Sequence, residues 1–265
     1  MSSVKVLGMA IKERRTKLLL GLFLLSDVDF KPVQLNQTLE IAFDLTLNQK
    51  TKATVASLLR EGSIEKIDAI DENVQTQYAL TAKGFKELCL DFPFFRFLRE
   101  NWDGRWRILS YEIPEKKREL RDKLRREVAG WGLGPWHRSF WVTPHPIIDN
   151  LRMLVSQKEE EQYIQAFEAE HVFGNKEILI EKVWQKSDLD RRYRELFKQW
   201  HEVLSSNPEG ATQSDVKLEK LRIVVDKYVN ILRDDPGLPP ELIGQNWIGY
   251  EAFNIYKEIR AILLS

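Results

Sequence analysis

Gly62 divides two kinds of hydrophobic periodicity, and that switch constrains the first ninety residues more than any other feature. Before it, Gln49 to Arg60 places Val55, Leu58 and Leu59 at i, i+3 and i+4, the spacing of one apolar helix face. Asn48 is the predicted N-cap, because its side chain can accept from the first unsatisfied N–H groups. Gly62 is the predicted stop, as a left-handed residue after the last turn. Beyond it, Ser63 to Ala69 and Val74 to Leu80 are extended stretches around Asp71-Glu72-Asn73, a polar turn that suits a hairpin. Upstream, Lys12 to Leu25 predicts a first helix, basic at its start and apolar at its end. Pro32 is expected in the first turn of a second helix, with Val33, Leu35, Leu39, Ile41 and Phe43 as its apolar members. Thr81 is expected to cap one more helix through Phe85. Three helices and a two-stranded wing form the order of a winged helix-turn-helix, whose third helix enters the major groove.

On this reading Lys50, Thr51, Lys52, Thr54 and Ser57 lie off the apolar stripe of the third helix. They are short polar or cationic groups that can reach base edges and phosphates. Lys12, Arg14, Arg15 and Lys17 are candidates for holding the DNA backbone. For any single lysine a solvated face is the commoner explanation. The ordered arrangement of helix, glycine and hairpin favours DNA contact. Asp68, Asp71 and Glu72 argue against a strong phosphate grip by the wing tip.

The formal net charge of zero, from 40 Lys+Arg and 40 Asp+Glu, argues against nucleic acid only until it is divided. Residues 1–60 hold nine basic and five acidic side chains, a balance of +4. Residues 101–150 hold ten against seven, or +3, and residues 151–265 sixteen against twenty, or −4. A basic front is therefore offset by an acidic rear. An apolar share of 43 % over 265 residues excludes a disordered chain. The longest apolar run, Leu18 to Leu25, is too short to cross a bilayer, and no signal peptide is apparent. Cys89 is the single cysteine, which excludes an internal disulfide and a multi-cysteine zinc site. His137, His145, His171 and His201 show no metal-ligand spacing. These observations predict a soluble cytoplasmic protein with no cofactor and no membrane partner.

The composition changes at Asp91-Phe92-Pro93-Phe94-Phe95, so residues 91–103 are expected to be a linker. Trp106 to Ile113 then predicts a buried strand, and Pro114 opens a helix to about Ala129 with Leu120, Leu124 and Val128 on one stripe. Lys116, Lys117, Arg118, Arg121, Arg125 and Arg126 crowd its other faces. Glu119–Lys123 and Asp122–Arg126 pairs make a solvated face the better reading than a nucleic-acid stripe. Trp136 to Thr143 predicts a short strand pair, Pro146 to Gln157 a helix and Gln162 to Val172 a last strand. The order β-α-β-β-α-β fits a ferredoxin-like domain. Apolar stripes over Asp188 to Leu204, Val216 to Leu232 and Tyr250 to Leu264 predict a helical end. The fold class is α+β: a winged helix-turn-helix at 1–90, the linker, a ferredoxin-like domain at 104–173 and a C-terminal helical domain at 174–265.

Two sets of motifs resemble a known family. The first is Trp102-Asp103-Gly104-Arg105-Trp106-Arg107, Tyr111-Glu112-Ile113-Pro114-Glu115, Trp131-Gly132-Leu133-Gly134-Pro135 and Phe140-Trp141-Val142-Thr143-Pro144-His145. The second is Tyr193-Arg194, Phe197, Trp200, Leu238-Pro239-Pro240-Glu241-Leu242 and Trp247. Together they resemble the PaaX family of bacterial transcriptional repressors of phenylacetic acid catabolism. The resemblance covers about residues 45–265. It implies a three-domain, homodimeric repressor on an inverted-repeat operator of double-stranded DNA, released by an aromatic acyl-CoA effector. It puts the DNA-reading positions on Lys50, Thr51, Lys52 and Ser57.

The central segment is also similar to the small CRISPR-associated endonuclease module. In that module an acidic residue at the end of the first strand holds a divalent metal across a dimer. The matching residue is Glu112, which makes a metal-dependent nuclease the alternative. An ion pair of Glu112 with Arg105 or Arg107 is the simpler expectation. No phosphate loop, nucleophile elbow or His–Glu metal pair is present, so the chain is expected not to be an enzyme. Cys89 is expected to be an apolar filler. Trp102, Trp106, Trp136, Trp141, Trp184, Trp200 and Trp247 suggest an aromatic cluster between the second and third domains. Trp102, Arg105, Trp106, Arg138, Trp141 and His145 are the effector-binding candidates, able to take an aromatic ring and an anionic tail.

Overall fold

The computed structural model describes residues 2–67, 76–206 and 212–265, with side chains from residue 14 onward. By contact the chain groups into two compact units. One contains Met1–Leu88, Tyr193–Ile231 and Gly249–Ser265, the other Cys89–Arg192 and Leu232–Ile248.

The first unit begins with α1 (Ser2–Ser26), β1 (Val33–Gln34), α2 (Gln37–Ala42) and α3 (Gln49–Glu61). Then come β2 (Ile64–Ile67), β3 (Gln77–Leu80) and α4 (Ala82–Asp91), the last running on into the second unit. The second helix departs from expectation. Pro32 precedes a short strand, in which Val33 pairs with Tyr78 of β3. The helix starts at Asn36, whose side chain accepts from the N–H groups of Thr38 and Leu39. The asparagine cap decides the boundary, because Pro32 offers no acceptor to those orphan donors. Sheet order is β1-β3-β2, all antiparallel. The tip expected at Asp71-Glu72-Asn73, and Asp68 beside it, lie outside the described residues. Leu18, Leu22 and Phe23 of α1 are fully buried. Phe23 stacks on Phe253, with ring centroids 6.2 Å apart.

The second unit holds β4 (Trp106–Tyr111), α5 (Arg118–Gly130), β5 (Gly134–His137), β6 (Phe140–Thr143), α6 (Ile148–Val155) and β7 (Ile164–Ala169). This is the β-α-β-β-α-β succession read from the sequence. The sheet is antiparallel in the order β5-β6-β4-β7, which puts the first and third strands in the middle. That is the split β-α-β arrangement. Strand alternation sends Leu109, Tyr111 and Trp141 into a core with Leu124 and Val128 of α5 and Leu151 of α6. Ile108 and its neighbour Phe167 therefore face the opposite side. Residues 93–98, inside the expected linker, form a buried 3₁₀ turn with Phe94 and Phe95 in the interior.

The chain continues through α7 (Lys176–Trp184), α8 (Lys186–Ser205), α9 (Gln213–Leu232), α10 (Pro240–Ile243) and α11 (Ile248–Leu264). Each unit receives part of this helical run. In the first, Trp200, Tyr228 and Tyr256 form a buried row with successive centroids 5.4 and 5.3 Å apart. Among the described residues no helix is long and apolar enough to cross a membrane.

Candidate nucleic-acid interface

Helix α3 is fixed at both ends by the two residues expected to do so. Asn48 Oδ1 accepts from Lys50 N at 3.0 Å and Thr51 N at 3.2 Å. Gly62 closes the helix at φ +72, in the left-handed region. Lys50 and Lys52 are exposed on the first turn, and Thr54 and Ser57 are partly exposed further along. Thr54 Oγ1 donates back to Lys50 O at 2.9 Å. Ser57 Oγ donates to Glu61 Oε1 at 2.5 Å.

Thr51 corrects the expected face. It is 1 % exposed and its hydroxyl donates to Thr46 O at 2.6 Å. Thr51, Val55 and Leu58 are the buried positions, spaced i, i+4 and i+7, so Thr51 continues the inner stripe.

Of the cations expected at the backbone, Lys12 lies outside the described side chains and Arg14 is partly exposed. Arg15 Nη2 lies 2.8 Å from Glu61 and 2.5 Å from Glu87. These contacts raise its affinity for a proton against the opposing effect of burial, and the Ser57 and Arg15 contacts hold the Glu61 carboxyl below its usual range. Lys17 Nζ donates to Asp44 O at 3.0 Å and lies 3.1 Å from its carboxylate. Spacing carried a signal for the inward direction of Arg15: it precedes buried Leu18 and Leu22 by three and seven residues, on one helix face.

The six effector candidates do not converge. Trp102 Nε1 donates to Arg105 O at 3.0 Å, and its ring meets Trp106 edge-on at 5.8 Å. Trp106 stacks on Trp184 at 6.1 Å, with its own Nε1 buried and unpartnered. Arg105 is exposed and pairs with Glu168. Trp141 sits in the helix-covered core and donates to Tyr111 Oη, which donates to Arg138 O. Arg138 is itself exposed. His145 is fully interior, with Nε2 2.6 Å from Pro236 O. The tryptophans expected in one cluster form separate groups, with Trp200 in the aromatic row of the first unit and Trp247 beside Lys186 in the second. Of the six candidates, Trp106 lines a cavity of about 500 Å³ in the second unit, together with Trp136, Phe173 and Lys182.

Arg107 and Arg105 pair with Glu168 rather than Glu112, because the β4–β7 register sets Arg107 directly across from Glu168. Glu112 is exposed, and its N–H donates to Tyr163 O. Among the described residues no group of three or more His, Cys, Asp or Glu is placed to hold a metal ion. Cys89 is buried, and burial pushes its thiol up to about 12.

A family model described as the PaaX protein central Cas2-like domain matches residues 99–179. A second, described as the PaaX-like protein C-terminal domain, matches residues 184–265. The Transcriptional repressor PaaX of Escherichia coli (strain K12) is 21 % identical over 199 residues. That match covers 71 % of this chain and 62 % of the relative, less than two thirds of its length. A solved structure titled Uncharacterized protein Rv0674 from Mycobacterium tuberculosis is 14 % identical, with a TM-score of 0.46 over 94 % of this chain and 97 % of that one.

Proposed function

Since the chain belongs to the PaaX family, we propose that it is a DNA-binding transcriptional repressor that reads its operator with α3. The observation that carries this reading is the outer face of that helix. Lys50 and Lys52 stand exposed on its capped first turn, and a β-hairpin follows it directly. The first unit then acts as a winged helix-turn-helix, with Thr54 and Ser57 within reach of base edges and the lysines on phosphates.

The working molecule is a homodimer on a two-fold symmetric operator. Support comes from the sheet face turned away from α5 and α6, where Phe167 is 51 % and Trp136 44 % exposed. Exposed apolar area of this kind marks an association surface. Release from DNA follows binding of an aromatic acyl-CoA, by a shift between two dimer states. The cavity lined by Trp106, Trp136 and Lys182 supports this part, since it offers flat apolar walls and a cation, with the acid Glu170 also on its lining. In the division at 1–90, 104–173 and 174–265, DNA reading falls to the first segment and dimerisation to the second, while the helices of the third are shared between the two compact units.

A gel-shift titration against the DNA upstream of the protein's own gene tests the reading. A shift that weakens with salt is expected. Absence of any shift at low salt, where phosphate contacts are strongest, overturns it.

A further inference from the structure

Two cations of α1 reach residues on either side of α3: one in the turn after α2, the other at the C-terminal end of α3. Lys17 holds Asp44, in the turn that ends α2, five residues before α3. Arg15 holds Glu61, the last residue of α3, at 2.8 Å, and its Nη2 also reaches Glu87 of α4 and Ser63 Oγ. Ser63 Oγ donates to the other oxygen of Glu87 at 2.7 Å. The cluster thus joins α1, the end of α3, the start of the hairpin and α4.

We propose that Arg15 and Lys17 are positioning residues that set the angle of α3 for DNA recognition and touch no phosphate themselves. The proposal rests on the DNA-binding reading above. For Arg15 the geometry favours the protein partners: Nη2 already lies within ion-pair distance of two carboxylates, and a phosphate oxygen reaching it has to displace one of them. The same pairing accounts for Glu61. An acid on the last turn of a recognition helix repels the DNA backbone unless a cation neutralises it, and Arg15 does so from behind the helix. Ser57, on the outer face, is tied to this brace through Glu61.

The sign of one substitution separates bracing from simple charge. If Glu61 only faces DNA, Glu61→Gln removes repulsion and tightens binding. If Glu61 is the handle by which Arg15 holds α3, the same change loosens binding. The test is fluorescence anisotropy of the full chain with a labelled duplex of its own upstream DNA, across a salt series. Arg15→Met is expected to weaken binding about tenfold, the scale of a lost charged hydrogen bond, with the log-affinity against log-salt slope unchanged. Glu61→Gln is expected to weaken binding too, and Arg15→Lys to restore part of it. A slope that falls by about 0.9 in Arg15→Met means a lost phosphate contact and overturns the proposal. Tighter binding by Glu61→Gln overturns it as well.

Amide hydrogen exchange without DNA reads the brace directly. Exchange in α3 is expected to quicken in Lys17→Met and Glu61→Gln, whose substituted side chains are partly exposed and leave the core intact. Unchanged exchange overturns the proposal whatever the DNA result. Quickened exchange with no DNA binding by the wild type overturns the repressor reading alone.

Discussion

Arg107 lies directly across the β4–β7 ladder from Glu168, with its guanidinium 3.1 Å from that carboxylate. The same guanidinium takes Asp103 at 2.5 Å and donates to Pro144 O. Its side chain is only 5 % exposed, so this charge is buried and satisfied, while both acids keep contact with water. Arg107→Met strips the loop before β4 of its tether, at an expected cost of about 2 kcal/mol in urea unfolding. The pH dependence has a definite sign. The hydrogen bond from Arg107 holds Asp103 below its ordinary value of 3.8. A carboxyl depressed in the folded state stabilises the fold above its unfolded value and loses that contribution as pH falls through the folded one. The gap between wild type and Arg107→Met is therefore full at neutral pH and narrows below about pH 4.

His145 makes a second acid-sensitive point. Pro236 O can only accept, so the neutral ring carries its proton on Nε2, and Nδ1 is buried with no partner. Burial first, then the charge of Arg96, pushes the ring from 6.5 down to about 3. The unfolded chain then binds a proton that the folded chain refuses. Stability is expected to fall as pH drops from about 6.5 toward 3, by at most about 1.4 kcal/mol per pH unit from this group. His145→Phe keeps a ring against Phe97 and removes the titration. Thermal unfolding from pH 7 to pH 4 should show a lower starting midpoint and a shallower decline. An equally steep decline in both proteins contradicts the assignment.

The sequence was most readable where one residue type does one local job. Asn48 and Gly62 bound α3 as expected, because a cap and a left-handed stop need no information from distant parts of the chain. The β-α-β-β-α-β succession was readable for the same reason, each element carrying its own periodicity. Pro32 misled because Asn36, four residues on, is the stronger start signal. Thr51 looked outward by residue type, but its place four residues before Val55 puts it inside. Arg15 looked like a phosphate ligand, and its partners Glu61 and Glu87 lie 46 and 72 residues away. Spacing shows that Arg15 points inward but not which acids it meets, because long-range pairing depends on tertiary packing. The same holds for Glu168, 61 residues from Arg107.

Gly84 allows α4 to pass close to the backbone. A Cβ there would lie 1.9 Å from Ser63 O, an oxygen that cannot swing aside. Gly84→Ala is expected to cost about 3 kcal/mol, at the upper end of overpacking effects. Because Ser63 follows Gly62 at the end of α3, the variant should also lose DNA binding more than its remaining folded fraction accounts for. Circular dichroism melting and anisotropy on the same preparation check the two effects separately.

Cys89 should be silent toward thiol reagents in the native protein. Its side chain is buried and its thiol is raised to about 12, so almost no thiolate is present at pH 8. A chromogenic disulfide reagent is expected to label about one thiol only after denaturant is added. Rapid labelling of the folded chain contradicts the packing around α4.

Lys50, Lys52 and Thr51 provide a contrast within one helical turn. Lys50→Ala and Lys52→Ala remove exposed cations from the capped end of α3. Each is expected to reduce the salt slope of DNA binding by about 0.9 and to weaken binding to all sequences alike. Thr51→Val keeps the shape but loses the hydroxyl bond to Thr46 O. It is expected to lower stability by about 1 kcal/mol, through loss of that one hydrogen bond while Thr46 O keeps the N–H of Asn48, and to leave the slope unchanged. If Thr51→Val changes the slope as the lysine variants do, Thr51 faces the phosphates and the inner stripe of α3 is wrongly drawn.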